Sequence, residues 1–142
     1  MDTPAALNAM KTFLENLGIT TVLGVPESFT GPVSAYVADG ARDMRDRATG
    51  NFIEQNQRIF VALGYRVAGA ETDIELALAA MVDSIVSQWY QDRRNGQGFF
   101  AIAQNATLDM SIQNDPRYQI IAGQEFRIYP FLVVYSQREV IS

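Results

Sequence analysis

The chain has 142 residues, of which 48% are hydrophobic, 19% charged and 11% aromatic; this fits one globular domain and excludes a disordered tail, a collagen-like fibre and a disulfide scaffold. With neither cysteine nor histidine, thiolate metal sites, iron–sulfur clusters, thiol nucleophiles and every His-based triad are excluded. Eleven basic residues against sixteen acidic give a formal net charge of −5, the wrong sign for gripping phosphates but compatible with standing beside DNA without holding it.

The opening predicts a helix. Thr3 is placed to cap it, Pro4 suits the first turn, and Gly18 marks its end. Leu7, Met10, Leu14 and Leu17 recur at three- and four-residue spacing and share one face. Ile19 to Val25, rich in β-branched residues and stopped by Pro26, reads as a strand. Val33 to Val37, after Gly31-Pro32, reads as a short second strand.

From about Ala38 to Gln57 no apolar period is visible. Asp39-Gly40-Ala41-Arg42-Asp43-Met44-Arg45-Asp46-Arg47 alternates in charge, and Ala48 to Gln57 is mostly small and amide residues. The expectation is a long charged loop over about 38–57, of the kind that is functional or disordered when it interrupts a domain.

Arg58 to Gly69 is the clearest strand: Ile59, Val61, Leu63, Tyr65 and Val67 alternate onto one face, opposite Phe60, Ala62, Gly64, Arg66 and Ala68. Thr72-Asp73-Ile74-Glu75 has the form of a capping box. The helix it opens carries Ile74, Leu78, Met81, Val82, Ile85 and Trp89 as one stripe and stops at Arg93-Arg94-Asn95-Gly96. Phe99 to Asp109 reads as a strand, Gln113-Asn114-Asp115-Pro116 as a turn, and Arg117 to Ile121 as a brief pairing segment.

Glu125 to Glu139 predicts a long final strand that is apolar on both faces around Phe131, Leu132, Val133 and Val134. Pro130 places it at an edge or a bulge. Two helices leave one side of such a strand short of cover, so Phe131 and Val133 are candidates for contact with a neighbouring subunit. The expected fold class is α+β: a single mixed or antiparallel sheet backed by two main helices, in one domain.

The chemistry-bearing patterns are few. The glycines match neither a Walker nor a Rossmann spacing. Asp39, Asp43 and Asp46 are interleaved with Arg42, Arg45 and Arg47, which would neutralise a metal site. That stretch is either a solvated charged loop or an intersubunit contact carried by Arg42, Asp43, Arg45, Asp46 and Arg47. Lys11, the only lysine, sits early in a helix and is a poor Schiff-base candidate. Trp89 lies on the apolar stripe and belongs in the core, whereas Tyr90 beside it is the better interface candidate. Ten arginines to one lysine suit forked ion pairs at interfaces, and genomic base composition explains them equally well. No catalytic, cofactor-binding or metal-binding residue is expected. The acidic, turn-like start Met1-Asp2-Thr3-Pro4 does not read as a signal peptide. Tyr129 to Tyr135, the most apolar run, is too short to span a bilayer, so a soluble protein without a membrane partner is expected.

The order helix, strand, long loop, strand, capped helix, then C-terminal strands resembles the tail terminator proteins of long-tailed bacteriophages. The resemblance is carried by Leu17-Gly18 closing the first helix, by Arg58-Ile59-Phe60-Val61-Ala62-Leu63, by Thr72-Asp73-Ile74-Glu75, and by Gly123-Gln124-Glu125-Phe126-Arg127-Ile128. It covers nearly the whole chain and is loosest over Ala38 to Gln57. It implies a non-enzymatic virion protein without a cofactor, assembled in the host cytoplasm as a sixfold ring. Such a ring caps the tail tube, meets the head connector, and lets DNA pass through its lumen unbound. A related head–tail joining (neck) protein fits equally. Two rivals from other classes are a small α+β module with a ligand pocket between sheet and helix, and a carboxylate hydrolase using Asp39 to Asp46.

Overall fold

The computed structural model describes residues 3–24, 33–47, 52–67, 71–111, 117–121 and 123–140; for 33, 41–47, 52–54, 71–72, 117 and 137–140 it describes the backbone alone. Pro26, the Gly31-Pro32 turn, Ala48 to Asn51, Ala68 and the turn at 113–116 lie outside the described residues, as does the Thr72 side chain expected to cap the second helix. In chain order the elements are α1 (Thr3–Asn16), β1 (Thr20–Leu23), β2 (Val33–Arg47), β3 (Phe52–Arg66), α2 (Glu71–Asn95), a 3₁₀ turn (Gly98–Ala101), β4 (Thr107–Asp109), β5 (Arg117–Ile121) and β6 (Gln124–Val140). This is an α+β fold with one mixed six-stranded sheet.

The strands run in the order β1-β2-β3-β6-β4, with β5 also paired to β6. Only β1 and β2 are parallel; the other pairs are antiparallel. Side-chain alternation divides the sheet into two faces. On one, Ala35, Val37, Ile59, Val61, Leu63, Phe131, Val133 and Tyr135 meet Ala6, Met10, Phe13 and Leu14 of α1 and Ile74, Leu78, Ile85 and Trp89 of α2. Both helices therefore back the same face. Trp89 is the hub: its ring lies 5.8 Å from Phe13, 5.7 Å from Phe99 and 4.6 Å from Phe100, centre to centre. The predicted stripes of both helices are the buried ones, with Leu7, Leu17, Met81 and Val82 at the margin.

The opposite face carries a second, smaller core of Tyr36, Ala62, Ile121, Phe126 and Ile128, with Val22 and Phe60 packed on it. No helix covers it. The sheet itself curls, so that the Tyr36 hydroxyl on β2 donates to Gln119 Oε1 on β5 at 3.4 Å, across the width of β3 and β6.

Three expectations change, and at Pro130 one of two alternatives is met. The stretch expected as a loop over 38–57 is strand wherever the structure describes it: 38–47 continue β2 and 52–57 begin β3, a hairpin in register from Arg42↔Gln57 to Arg47↔Phe52. Sign-alternating charges hide a strand, because the apolar period is absent while β3, itself paired to β6 along its whole length, supplies the hydrogen bonds. A bulge also breaks the period: Gly40 and Ala41 lie opposite the single residue Arg58, between Asp39↔Ile59 and Arg42↔Gln57. Glycine is required there, since a Cβ on Gly40 would stand 2.6 Å from the Arg58 carbonyl oxygen.

The strand expected over 99–109 is a 3₁₀ turn followed by the three-residue β4. Gly96 and Gly98 hold left-handed φ angles of 64° and 60°. A strand would send Phe99 and Phe100 to opposite faces, whereas the turn lets both enter the core beside Trp89.

Pro130 makes no bulge. It pairs with Ala62 in an unbroken β3–β6 register. On its other side β5 stops at Ile128 and β4 starts at Leu132, so among the described residues it lies on a short local edge where no donor is required.

Thr3 is already helical rather than a cap, and its hydroxyl is engaged with the buried Gln57 amide, Nε2 to Oγ1 at 3.1 Å. Gln57 also donates to Asp39 Oδ1 at 3.4 Å, which ties the start of α1 to the bulge.

Trp89→Ala should destabilise the fold by about 3–5 kcal/mol, as expected for a fully buried aromatic side chain. Gly40→Val should cost roughly 1–3 kcal/mol, because the added methyls must displace backbone rather than a flexible side chain. Urea unfolding of both variants checks these values; a near-neutral Gly40→Val would mean that the bulge does not form.

Candidate functional site

Three regions stand out as surfaces on which the chain can act. The first is the far end of the sheet. β2, β3 and β6 continue together beyond Gln57 and Tyr135, the last positions described as buried on the helix-covered face. The continuation from Arg42 to Arg47 is six residues, or about 20 Å at the rise of a strand. Its register is informative. Arg45 stands opposite Glu54, which stands opposite Arg138; Asp46, Ile53 and Glu139 form the next row. Of the candidate interface residues, Arg42, Asp43, Arg45, Asp46 and Arg47 all lie on this ribbon, as successive positions of one strand. In register, Arg42 and Arg47 are opposite the neutral Gln57 and Phe52.

The second region is the end of α2. Tyr90 is 57% exposed, as expected for an interface candidate. The Arg93 guanidinium lies 5.7 Å from its ring and 5.3 Å from that of Phe100, and Arg93 Nη2 donates to the Ala106 carbonyl at 2.7 Å. Arg93 is thus a clamp between helix and 3₁₀ turn. Between this end of α2 and the end of α1 runs a groove of about 440 Å³, lined by Phe13, Asn16, Leu17, Gln88, Asp92 and Gln97. Gln88 Nε2 donates to Asp92 Oδ1 at 2.8 Å. The groove offers amides and one carboxylate, which suit hydrogen bonding to a ligand and supply no activated nucleophile.

The third region is the outer face of the sheet, where a shallow cleft of about 300 Å³ is lined by Tyr36, Phe60, Tyr118, Gln119, Ile128 and Pro130. Phe131 and Val133, expected at an interface, are fully buried in the chain's own core. Strand parity is the reason: the odd-numbered positions of this part of β6 face the helices, which leaves Leu132 and Val134, half-buried, on the outer side. Cover that was expected from a neighbour is supplied by α1 and α2.

Several polar residues with structural roles were not visible in the sequence. Arg127 is buried, with Nε 2.7 Å from Glu75 Oε1 and Nη1 donating to the Ile128 carbonyl. Its pair with the half-exposed Glu75 ties β6 to the first turns of α2. A basic residue inside an apolar strand, with an acid at the start of the preceding helix, is the signal that could have located it. Asn105 imitates a strand, with Nδ2 donating to the Ser136 carbonyl at 3.1 Å and Oδ1 accepting from the Ser136 amide at 3.4 Å. Sequence carries no signal for that.

Two groups have displaced acidities. Burial pushes the Tyr36 phenol above its ordinary value of 10.0, partly offset by Gln119. Hydrogen bonds from the Ser111 side chain and backbone hold the Asp109 carboxyl below its ordinary value. Neither carries a reaction by itself. Among the described residues no group of three His, Cys, Asp or Glu side chains is arranged to hold a metal ion, and no helix is long and apolar enough to cross a membrane. No model of a known protein family matches the chain, and no curated protein is significantly similar to it.

Because the folded state raises the Tyr36 pKa, the unfolded chain ionises first. The stability this group contributes is complete below pH 10 and is lost as pH rises from there toward the folded-state value. Tyr36→Phe should therefore flatten the fall in urea midpoint above about pH 10. Parallel alkaline limbs for wild type and variant would show that Tyr36 is not buried as described.

Proposed function

We propose that this protein is a structural subunit of a bacteriophage virion, a tail terminator of the long-tailed phages or a closely related head–tail joining protein. In this reading it assembles in the host cytoplasm into a homo-oligomeric ring of six copies. The ring caps the tail tube, meets the connector or neck protein at the head–tail interface, and passes DNA through an acidic lumen that does not bind it. It performs no catalysis and uses no cofactor. The observation that carries the reading is the three-stranded ribbon of β2, β3 and β6, which runs on past the helix-covered core with charged rows across it. Rows of alternating charge across paired strands set register and partner choice. The sheet backed on one face by two helices is of the α+β class that the resemblance implies.

A second reading, a small ligand-binding module, has one observation in its favour: the amide-lined groove of about 440 Å³ between the ends of α1 and α2. It requires a compact monomer or dimer and a small polar ligand in that groove.

Negative-stain microscopy and light scattering of the purified protein separate the two. Rings with a central hole are expected. A compact species that stays unassembled even with purified tube ends, and binds a small molecule in the groove, would replace the ring reading with the module. The ribbon is tested by Arg42→Glu combined with Arg47→Glu, positions opposite neutral residues in register. The melting temperature should stay within about 2 °C of wild type, since neither arginine stands opposite an acidic residue in register. Ring formation or tube capping should fall; unchanged assembly would remove the ribbon from the contact.

A further inference from the structure

Helix α2 ends on Asn95, and the residue after it is Gly96. No other asparagine in the chain precedes a glycine. That order has a chemistry of its own. The backbone nitrogen of the following residue attacks the asparagine carboxamide carbon and closes a five-membered ring, and a residue without a Cβ obstructs the attack least. A folded chain permits this where the carboxamide is free to swing, the backbone nitrogen is loosely held, and the peptide is open to water.

The end of α2 meets all three conditions. Asn95 is exposed, and among the described residues its carboxamide makes no hydrogen bond. The Gly96 amide donates to the Arg93 carbonyl at 3.4 Å, a long bond, whereas the Gln97 amide donates to the Asp92 carbonyl at 3.0 Å. A Cβ added at Gly96 would meet no atom within 4 Å, so the peptide lies open. Asn105 supplies the contrast. It is also exposed and followed by a small residue, Ala106. Its Nδ2, however, donates to the Ser136 hydroxyl at 2.6 Å and carbonyl at 3.1 Å, and its Oδ1 accepts from the Ser136 amide at 3.4 Å. That carboxamide is pinned.

We infer that Asn95 is a site of spontaneous modification in the folded protein, passing through a succinimide to aspartate and isoaspartate. The Gly96 nitrogen gives its proton to solvent and bonds to Asn95 Cγ. The Cγ–Nδ2 bond breaks, and Nδ2 leaves as ammonia. Water then opens the ring: at Cγ it gives aspartate, and at the main-chain carbonyl carbon it gives isoaspartate, whose backbone is longer by one methylene. The net change is amide and water to carboxylate and ammonium.

The modification is coupled to the fold. The Gly96 and Gln97 bonds together cap α2, with Gly96 at a left-handed φ of 64°. An extra methylene moves both donors away from Arg93 and Asp92, and either product sets a carboxylate at the negative end of the helix dipole. The cap leads directly into the 3₁₀ turn that places Phe99 and Phe100 on Trp89. None of this depends on the ring.

The experiment stores the whole chain, folded, in mildly alkaline buffer and compares it with fresh protein after tryptic digestion. The peptide from Asn95 to Arg117 contains both Asn95 and Asn105. Asn95 should gain about 1 Da on storage and elute as two separable products, while Asn105 stays an amide. Asn95→Gln, which would have to close a slower six-membered ring, should lose the gain at this position. Stored wild type should unfold at lower urea than fresh protein, and stored Asn95→Gln should keep its midpoint. An Asn95 that reacts only after unfolding in urea would overturn the inference, as would Asn105 converting as fast as Asn95. Conversion with an unchanged urea midpoint would sever it from the cap.

Discussion

Strand β3 is paired along all fifteen of its residues to β6 on one side and along thirteen of them to β2 on the other, and the other elements are placed by that double pairing. Its helix-facing positions Ile59, Val61 and Leu63 are fully buried, and so are Phe131 and Val133 opposite them on β6. They form the floor on which α1 and α2 rest. Because a strand alternates strictly, fixing that floor also fixes what lies beneath: Phe60 and Ala62 face the other side, where no helix is available.

That second side is closed by the sheet's own curvature. β5 turns back along β6, and the right-handed twist of the strands brings Gln119 within reach of Tyr36. The consequence is a sheet with one deep core and one thin one. The thin side is where the fold should tolerate change best, since its apolar residues are few and two of the seven lie at the margin. The deep side is held further by polar ties that cross between layers: Arg127 to Glu75 from β6 to α2, and Gln57 to Thr3 from β3 to α1. Each leaves a buried donor without a partner if broken, which is why such ties fix helix position more than they add net stability.

The candidate surfaces lie where this internal pairing and packing end. Beyond Gln57 and Tyr135 the three long strands still satisfy one another's backbone groups. Along α2 the face away from Trp89 contributes nothing to the core. The ribbon and the exposed face of α2 are the candidate surfaces this leaves.

By itself the sequence determined the α+β class, both helices with their buried stripes, β3 from Arg58 onward, β5 and β6, and Trp89 as a core residue, because periodic apolar residues report directly on which face is removed from water. Tertiary structure alone decided the rest. That Arg42 to Arg47 is strand follows from hydrogen bonds lent by β3, with a Gly40 bulge that no apolar period records. That Phe99 and Phe100 turn rather than extend follows from Trp89, which draws two adjacent side chains to one place. That Phe131 and Val133 face inward, while Leu132 and Val134 face out, is a matter of parity against β3, and a strand apolar at every position cannot announce its own inner face. The candidate surfaces divide the same way: Tyr90 was legible as an exposed aromatic beside a buried one, whereas the charge rows of the ribbon exist only through the register of three strands distant in the chain.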